Sequence, residues 1–274
     1  GSFLFNELAL AGLPPLTGVW GRVGLAARLL WGVMPATGAA LPPRRVWPAL
    51  LMMGCLNNAV PFTLFVLAQG QITGALASVL NAMTPIFTVL VAHVATSDEK
   101  LTPARGLGVL LGFAGVLVML AHGGMGGTFW ALVACLGAAF SYALASVWGR
   151  RFRAAGLAPL ATAFGQLTAS SALMLPVWLV VDRPWALDWP GWEPVMAVVG
   201  LASLSSALAY LIFFRILAEA GATAVSLVTF LIPFSAAALG WLVLGERLEP
   251  RHWLGLGLIL AGLAMIDGRI FRRR

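Results

Sequence analysis

Glu99-Lys100-Leu101-Thr102-Pro103 and Glu246-Arg247-Leu248-Glu249-Pro250 are two versions of one element, set 147 positions apart. Each leads into a glycine-rich apolar stretch. Gly108 and Gly115 recur as Gly255 and Gly262 at the same offset of 147. Working outward, apolar stretches lie near 1–13, 14–35, 46–68, 72–95, 103–121, 128–149, 157–181, 192–217, 222–244 and 251–267. The last five repeat the first five. Because five is odd, a second copy of spanning helices enters the bilayer from the opposite side. The pattern therefore predicts an all-α membrane protein with ten transmembrane helices in two inverted five-helix repeats, 1–122 and 123–274, forming a single transmembrane domain over 1–274. In such an architecture the binding site is expected near the midplane, between the halves.

Composition excludes a water-soluble domain. The chain of 274 residues is 60% hydrophobic and 10% charged, against roughly 25% charged in soluble domains. Mean hydropathy is +0.93. Runs such as 72–95 and 222–244 exceed the ~18 apolar residues that read as a spanning helix. The first stretch is too short to span, so its helix either starts before residue 1, which is the expectation, or is a half-helix. It lacks the basic flank and cleavage site of a signal peptide.

The net charge of +7 does not point to nucleic acid. With the amino terminus inside, inner loops and tail hold twelve Lys and Arg, among them Arg44, Arg45, Lys100, Arg150 and Arg272, while outer loops hold three, Arg183, Arg247 and Arg251. That asymmetry follows the positive-inside rule and predicts a multi-pass plasma-membrane (bacterial inner-membrane) protein with both termini cytoplasmic. The eleven Trp residues sit near predicted helix ends or in the outer loop, as an interfacial belt does. Trp20 and Trp148 are the two positioned to turn inward onto an aromatic ligand. Cys55 and Cys135 read as apolar fillers, and no metal-ligand spacing or cofactor motif is present.

Polar groups inside spans are costly, so their positions carry information. Ser78, Asn81 and Pro85 in the fourth span recur as Ser226, Thr229 and Pro233 in the ninth, offset by 148. Spacings of three and four put each trio on one helical face. Each proline removes a donor from the carbonyl four residues earlier, so Pro85 and Pro233 are hinge candidates whose face needs protein or water. Asn57, Asn58, Ser205, Ser206 and Tyr210 come to similar depth from the third and eighth spans, Gln166 from the seventh and Tyr142 from the sixth. With Ser78, Asn81 and Thr229 they form the candidate cavity lining. Neutral donors and acceptors dominate, which suits uncharged polar or zwitterionic cargo. Interhelical hydrogen bonding is the plain alternative for each residue taken singly.

Glu7 and Arg22 flank the Pro14-Pro15 turn at matching distances, so a helical hairpin brings them to one depth as an ion-pair or gating candidate. His93, near the inner end of the fourth span, is a third gating candidate because histidine as a residue type serves as a proton switch.

The two Glu-(Lys/Arg)-Leu-x-Pro elements, with Gly1-Ser2-Phe3, Leu13-Pro14-Pro15-Leu16-Thr17 and Arg22-Val23 at the start, resemble the drug/metabolite transporter superfamily, EamA type. The resemblance covers essentially the whole chain, and bacterial amino-acid exporters, including those for aromatic amino acids, look most similar. It implies alternating access and export of small metabolites across the lipid bilayer, with H+ as one coupling option and no enzymatic step. Many members carry Lys late in the first helix. Glu7 stands near that position here, so no role transfers from that Lys. The competing readings are a membrane sensor or scaffold without transport, and an intramembrane enzyme. The latter lacks both a His-Glu-x-x-His helix and a pair of buried Asp residues.

Overall fold

The computed structural model describes residues 1–97, 99–120, 127–212 and 231–267. Among them all regular structure is helical, with no strand. In chain order the helices are α1 (Ser2–Leu10), α2 (Pro15–Thr37), α3 (Arg44–Gln69), α4 (Gly74–Ala95), α5 (Pro103–Leu120), α6 (Gly127–Ala154), α7 (Pro159–Val181), α8 (Trp192–Ile212), α9 (Leu231–Leu244) and α10 (Pro250–Asp267). Five of these, α3, α4, α6, α7 and α8, are long and apolar enough to cross a membrane. The repeat junction at Gly123-Gly124, and Ser226 and Thr229 of the ninth apolar stretch, lie outside the described residues.

Proline and glycine set the helix ends. Pro15 opens α2 at its first turn, where a missing N–H costs nothing. Gly38 closes it at φ 66°, its N–H returning to the Met34 and Pro35 carbonyls. Only glycine takes that left-handed cap without strain.

Three apolar stretches that read as continuous helices are interrupted. In α3 the turn Cys55–Ala59 widens to a π-helix, with the Val60 N–H reaching back five residues to the Cys55 carbonyl. Pro61 follows directly and has no N–H, so a regular turn would leave the Asn57 carbonyl without its donor. In α8 a second π-turn occupies Ser203–Leu208, starting 148 positions after the first. The fourth stretch breaks outright: one segment ends at Asn81 and the next begins at Thr84, with Pro85 in its first turn. Pro85 thus starts a helix instead of bending one.

Burial is inverted relative to a soluble protein. Leu110, Leu117, Val180 and Leu242 are each more than 60% exposed, while Arg22, Asn58, Ser78, Gln166, Ser170 and Ser206 are buried. A hydrocarbon solvent around the bundle accounts for both halves of that pattern. Two apolar clusters lie inside. One gathers Leu80, Met83, Ile86, Val116, Ile259 and Leu263 from α4, α5 and α10. The other gathers Val19, Val23, Leu30, Leu167 and Ala202 from α2, α7 and α8.

Helices α5 and α10 touch backbone to backbone. A Cβ on Gly108 would meet the Gly262 carbonyl oxygen at 2.5 Å, and one on Gly115 would meet the Gly255 carbonyl oxygen at 2.6 Å. Contact advances along α5 as it retreats along α10, so the two run antiparallel. Dispersion between small-residue faces holds such a seam in lipid.

Gly115→Ala is expected to destabilise the protein by about 1–3 kcal/mol through overpacking. Gly257→Ala, whose Cβ would meet nothing within 4 Å, gains the same helix propensity without the clash. Thermal unfolding of both variants in detergent checks the difference.

Candidate functional site

The widened turn of α3 is the structural centre. Hydroxyls from neighbouring helices meet its carbonyls: Ser141 Oγ donates to the Leu56 carbonyl at 2.7 Å, and Ser170 Oγ shares its one proton between the Gln166 carbonyl at 2.5 Å and the Gly54 carbonyl at 3.1 Å. Gly54 lets α7 come this close, since a Cβ there would sit 2.7 Å from the Gln166 carbonyl oxygen. The side chains of the same turn bond outward. Asn57 Nδ2 donates to Gln166 Oε1 at 2.9 Å and to the Tyr210 hydroxyl at 3.4 Å, and Gln166 Nε2 donates to that hydroxyl at 2.9 Å. Asn58 Nδ2 donates to Ser170 Oγ at 2.9 Å, and its Oδ1 is buried with no partner among the described residues.

A cavity of about 200 Å³ opens beside this network. Its wall includes Ser2, Phe3, Asn6, Arg22, Phe62, Phe65, Asn81, Tyr142 and Ser235. Arg22 projects from α2 and is 7% exposed. Its Nε donates to Ser206 Oγ at 3.0 Å, its Nη2 to Ser2 Oγ at 3.2 Å, and its guanidinium carbon lies 3.7 Å from the Phe62 ring centroid. The second π-turn thus supplies, through Ser206, the group that positions the cation. Asn81 sits at the break in α4, where Thr84 Oγ1 donates to its Oδ1 at 3.4 Å.

Glu7 and Arg22, which the hairpin geometry brings to one depth, are not an ion pair. Arg22 turns toward α8. Glu7 turns toward the start of α4, where its Oε2 accepts from the Gly74 N–H at 3.1 Å. Glu246 reaches the same place: its Oε1 accepts from Gly74 N–H at 2.9 Å and its Oε2 from Ala75 N–H at 3.1 Å. The first N–H groups of a helix have no intrahelical acceptor and carry the positive end of the dipole, so both carboxylates find donors there. Beside them Asn6 Nδ2 donates to Gln69 Oε1 at 2.9 Å and Gln69 Nε2 to the Phe3 carbonyl at 2.8 Å. Asn6 and Phe3 face the cavity. Glu7 and Gln69 face a vestibule of about 470 Å³ that Arg247, Glu249, Arg251 and His252 also border. The Asn6–Gln69 bond joins a residue of the cavity wall to a residue of the vestibule wall.

Other sequence candidates lie elsewhere. Ser78 is fully buried and bonds back to the Ala75 carbonyl at 2.7 Å. Ser205 lies on the second π-turn, close to Gly1. Pro233 is buried in α9. His93 serves the α4–α5 connection instead of the cavity: its Nδ1 accepts from the Leu101 N–H at 3.1 Å, and its carbonyl accepts from Lys100 Nζ at 3.0 Å. Trp20 stacks on Trp178 at 3.9 Å between centroids, and Trp148 donates to the Ala49 carbonyl under the Arg151 guanidinium. Both rings are therefore committed to packing. Two partnerships were not foreseen: the Glu246 cap on α4, and Asp182 at the end of α7, whose Oδ2 accepts from Thr17 N–H at 2.6 Å and Thr17 Oγ1 at 2.7 Å.

The sequence profile of the EamA-like transporter family matches residues 1–121 and again 129–267. The chain belongs to that family. It is a membrane transporter and not an enzyme. Similar proteins include the uncharacterized inner membrane transporter YedA of Escherichia coli K12, 28% identical over 97% of this chain and 85% of that protein. The uncharacterized transporter YvbV of Bacillus subtilis is 26% identical over 96% of this chain and 85% of its own length. A Chlamydia trachomatis protein named as an S-adenosylmethionine/S-adenosylhomocysteine transporter is 22% identical over 99% and 86%. One solved crystal structure superposes with a TM-score of 0.68 at 21% identity, covering 100% of this chain and 96% of that one. That likeness concerns the fold alone. As an EamA-family transporter the protein has a small-molecule substrate and a lipid surround.

Asn57→Leu and Gln166→Leu, made singly and together, are expected to be non-additive in stability, with a coupling of about 0.6 kcal/mol, the average for interhelical hydrogen bonds in membranes. Unfolding of the four proteins in mixed micelles measures it.

Proposed function

We propose that this transporter exports small metabolites, amino acids foremost, by alternating access around the central cavity. In this reading ten spans form two inverted five-helix repeats, 1–122 and 123–274, with both termini in the cytoplasm. The observation that carries it is the cavity itself, a partly open space with polar groups from α1, α2, α4 and α6 set beside two helices with widened turns. Several features support the inverted architecture. The equivalent helices α5 and α10 cross antiparallel, through glycines related by the 147-residue offset. The π-turns of α3 and α8 begin at equivalent positions, Cys55 and Ser203. The family profile matches the chain in two stretches of similar length.

Size favours a cargo of amino-acid dimensions. A volume of about 200 Å³ is below the roughly 300–1,000 Å³ of sites for drug-sized ligands. A nucleoside-bearing sulfonium, the cargo in the chlamydial relative's name, is drug-sized. Asn81 and Tyr142 touch the cargo in this reading. Asn57, Asn58, Gln166, Ser205, Ser206 and Tyr210 hold the turns that shape the space, Ser78 stands on α4, and the break of α4 ahead of Pro85 together with Pro233 on α9 are the points of flexing.

The Asn6–Gln69 bond, flanked by Glu7 and Glu246 on one helix start, is the gate. Two carboxylates converging on the Gly74 N–H make protons the coupling ion of choice, with Arg247, Glu249, Arg251 and His252 as the other charged or titratable groups bordering the vestibule.

Proteoliposomes carrying the protein are expected to move labelled amino acid above empty vesicles, and a sensor or scaffold would not. Asn81→Leu should cut the flux by about two- to tenfold, the worth of one neutral hydrogen bond. Glu7→Gln should flatten the dependence of exchange on pH across about 5 to 8 while leaving the protein folded. An unaltered pH profile would remove Glu7 from coupling.

A further inference from the structure

Resting on the transport reading, we propose that the cavity takes its cargo by a carboxylate seated on Arg22, with an apolar body lying against the ring cluster, and that a cargo ammonium group is dispensable. The electrostatics of the wall lead there. Among the described residues Arg22 is the one charged side chain lining the cavity, and no acidic side chain lines it. Arg22 is buried, and its protein partners are two neutral hydroxyls and an aromatic face. A guanidinium has five N–H donors in a planar fork. Two of them bond Ser206 and Ser2, and no described residue accepts from Nη1.

Hydroxyls and a ring face orient the fork but leave its charge unneutralised. An uncompensated cation in a low-dielectric interior is costly, and a carboxylate matches the fork in two parallel bonds. Cargo thus supplies the counterion that the wall lacks. The remainder of the wall selects the other end of the molecule. Phe62 lies against Arg22, Phe65 stands 6.2 Å from the Tyr142 ring, and Phe3 meets Phe65 edge-on at 5.4 Å. These rings offer a surface for an aliphatic or aromatic body. For an ammonium the wall offers neutral acceptors without a counter-charge: the amide oxygens of Asn6 and Asn81 and the hydroxyls of Ser2, Tyr142 and Ser235. The site therefore reads an amphipathic monocarboxylate more strictly than an amino acid.

Three probes separate the two ends: phenylalanine, 3-phenylpropionate, which lacks the amine, and phenethylamine, which lacks the carboxylate. Binding to the purified full chain is followed by thermal shift, and uptake into proteoliposomes by labelled phenylalanine with the other two as competitors. The expected order is 3-phenylpropionate equal to or better than phenylalanine, with phenethylamine at least about tenfold weaker. Arg22→Gln should erase that preference. Arg22→Lys should restore part of it through charge without the fork. Arg28→Gln, an exposed cation on the same helix, should leave the order intact and shows that the α2 surface tolerates charge loss.

Equal competition by all three probes, or the strongest by the amine, overturns the carboxylate assignment. So does phenylalanine flux unchanged in Arg22→Gln, while the transport reading stands. Absence of flux for the wild type above empty vesicles overturns the transport reading together with this one.

Discussion

Every backbone N–H and C=O in a hydrocarbon solvent needs a partner inside the protein, and this bundle is organised around the few places where regular helix geometry cannot supply one. Pro61 has no N–H, and α3 answers with a π-turn whose carbonyls are met by Ser141 and Ser170. The first N–H groups of α4 have no intrahelical acceptor, and Glu7 and Glu246 meet them. The start of α2 is closed by Asp182 from α7. Of the side chains recruited for these repairs, Glu7 also borders the vestibule, while Ser141 and Ser170 hold the widened turn beside the cavity.

The repeat divides the labour unequally. Equivalent positions Asn58 and Ser206 occupy the two π-turns, yet they do different things: Asn58 binds α7 through Ser170, whereas Ser206 positions Arg22. Glu246 caps α4, while Glu99, its counterpart in the first copy, lies 3.5 Å from Arg150 at the surface. Pseudo-symmetric sequence here carries asymmetric chemistry.

Much of the helix layout was legible because it rests on local signals: apolar run length, proline and glycine punctuation, and the duplicated Glu-x-Leu-x-Pro element. Asn57, Asn58, Ser205 and Ser206 fall on the two π-turns, although nothing in their spacing distinguishes a widened turn from a regular one. The misplaced pair was Glu7 with Arg22. Counting residues from the Pro14-Pro15 turn gives depth but not azimuth, and Arg22 rotates toward α8 while Glu7 rotates toward α4. The caps by Glu246 and Asp182 were invisible for a related reason. Each joins a loop carboxylate to a helix start more than 160 residues away, and no local pattern encodes such a partner. Trp20 and Trp148 show the limit of composition, since an aromatic ring near a helix end reads alike whether it faces lipid, ligand or another helix.

The seam between α5 and α10 has an evolutionary corollary. At Gly108–Gly262 and Gly115–Gly255 main chain meets main chain, so neither side retains an atom that can be trimmed. An enlarging substitution on one helix cannot be rescued by shrinking its opposite number, because the opposite number is already the smallest residue. Compensation would have to come from displacement of a whole helix. Sequence drift at these four positions is consequently a one-way door, closed to the pairwise exchange by which ordinary cores diversify.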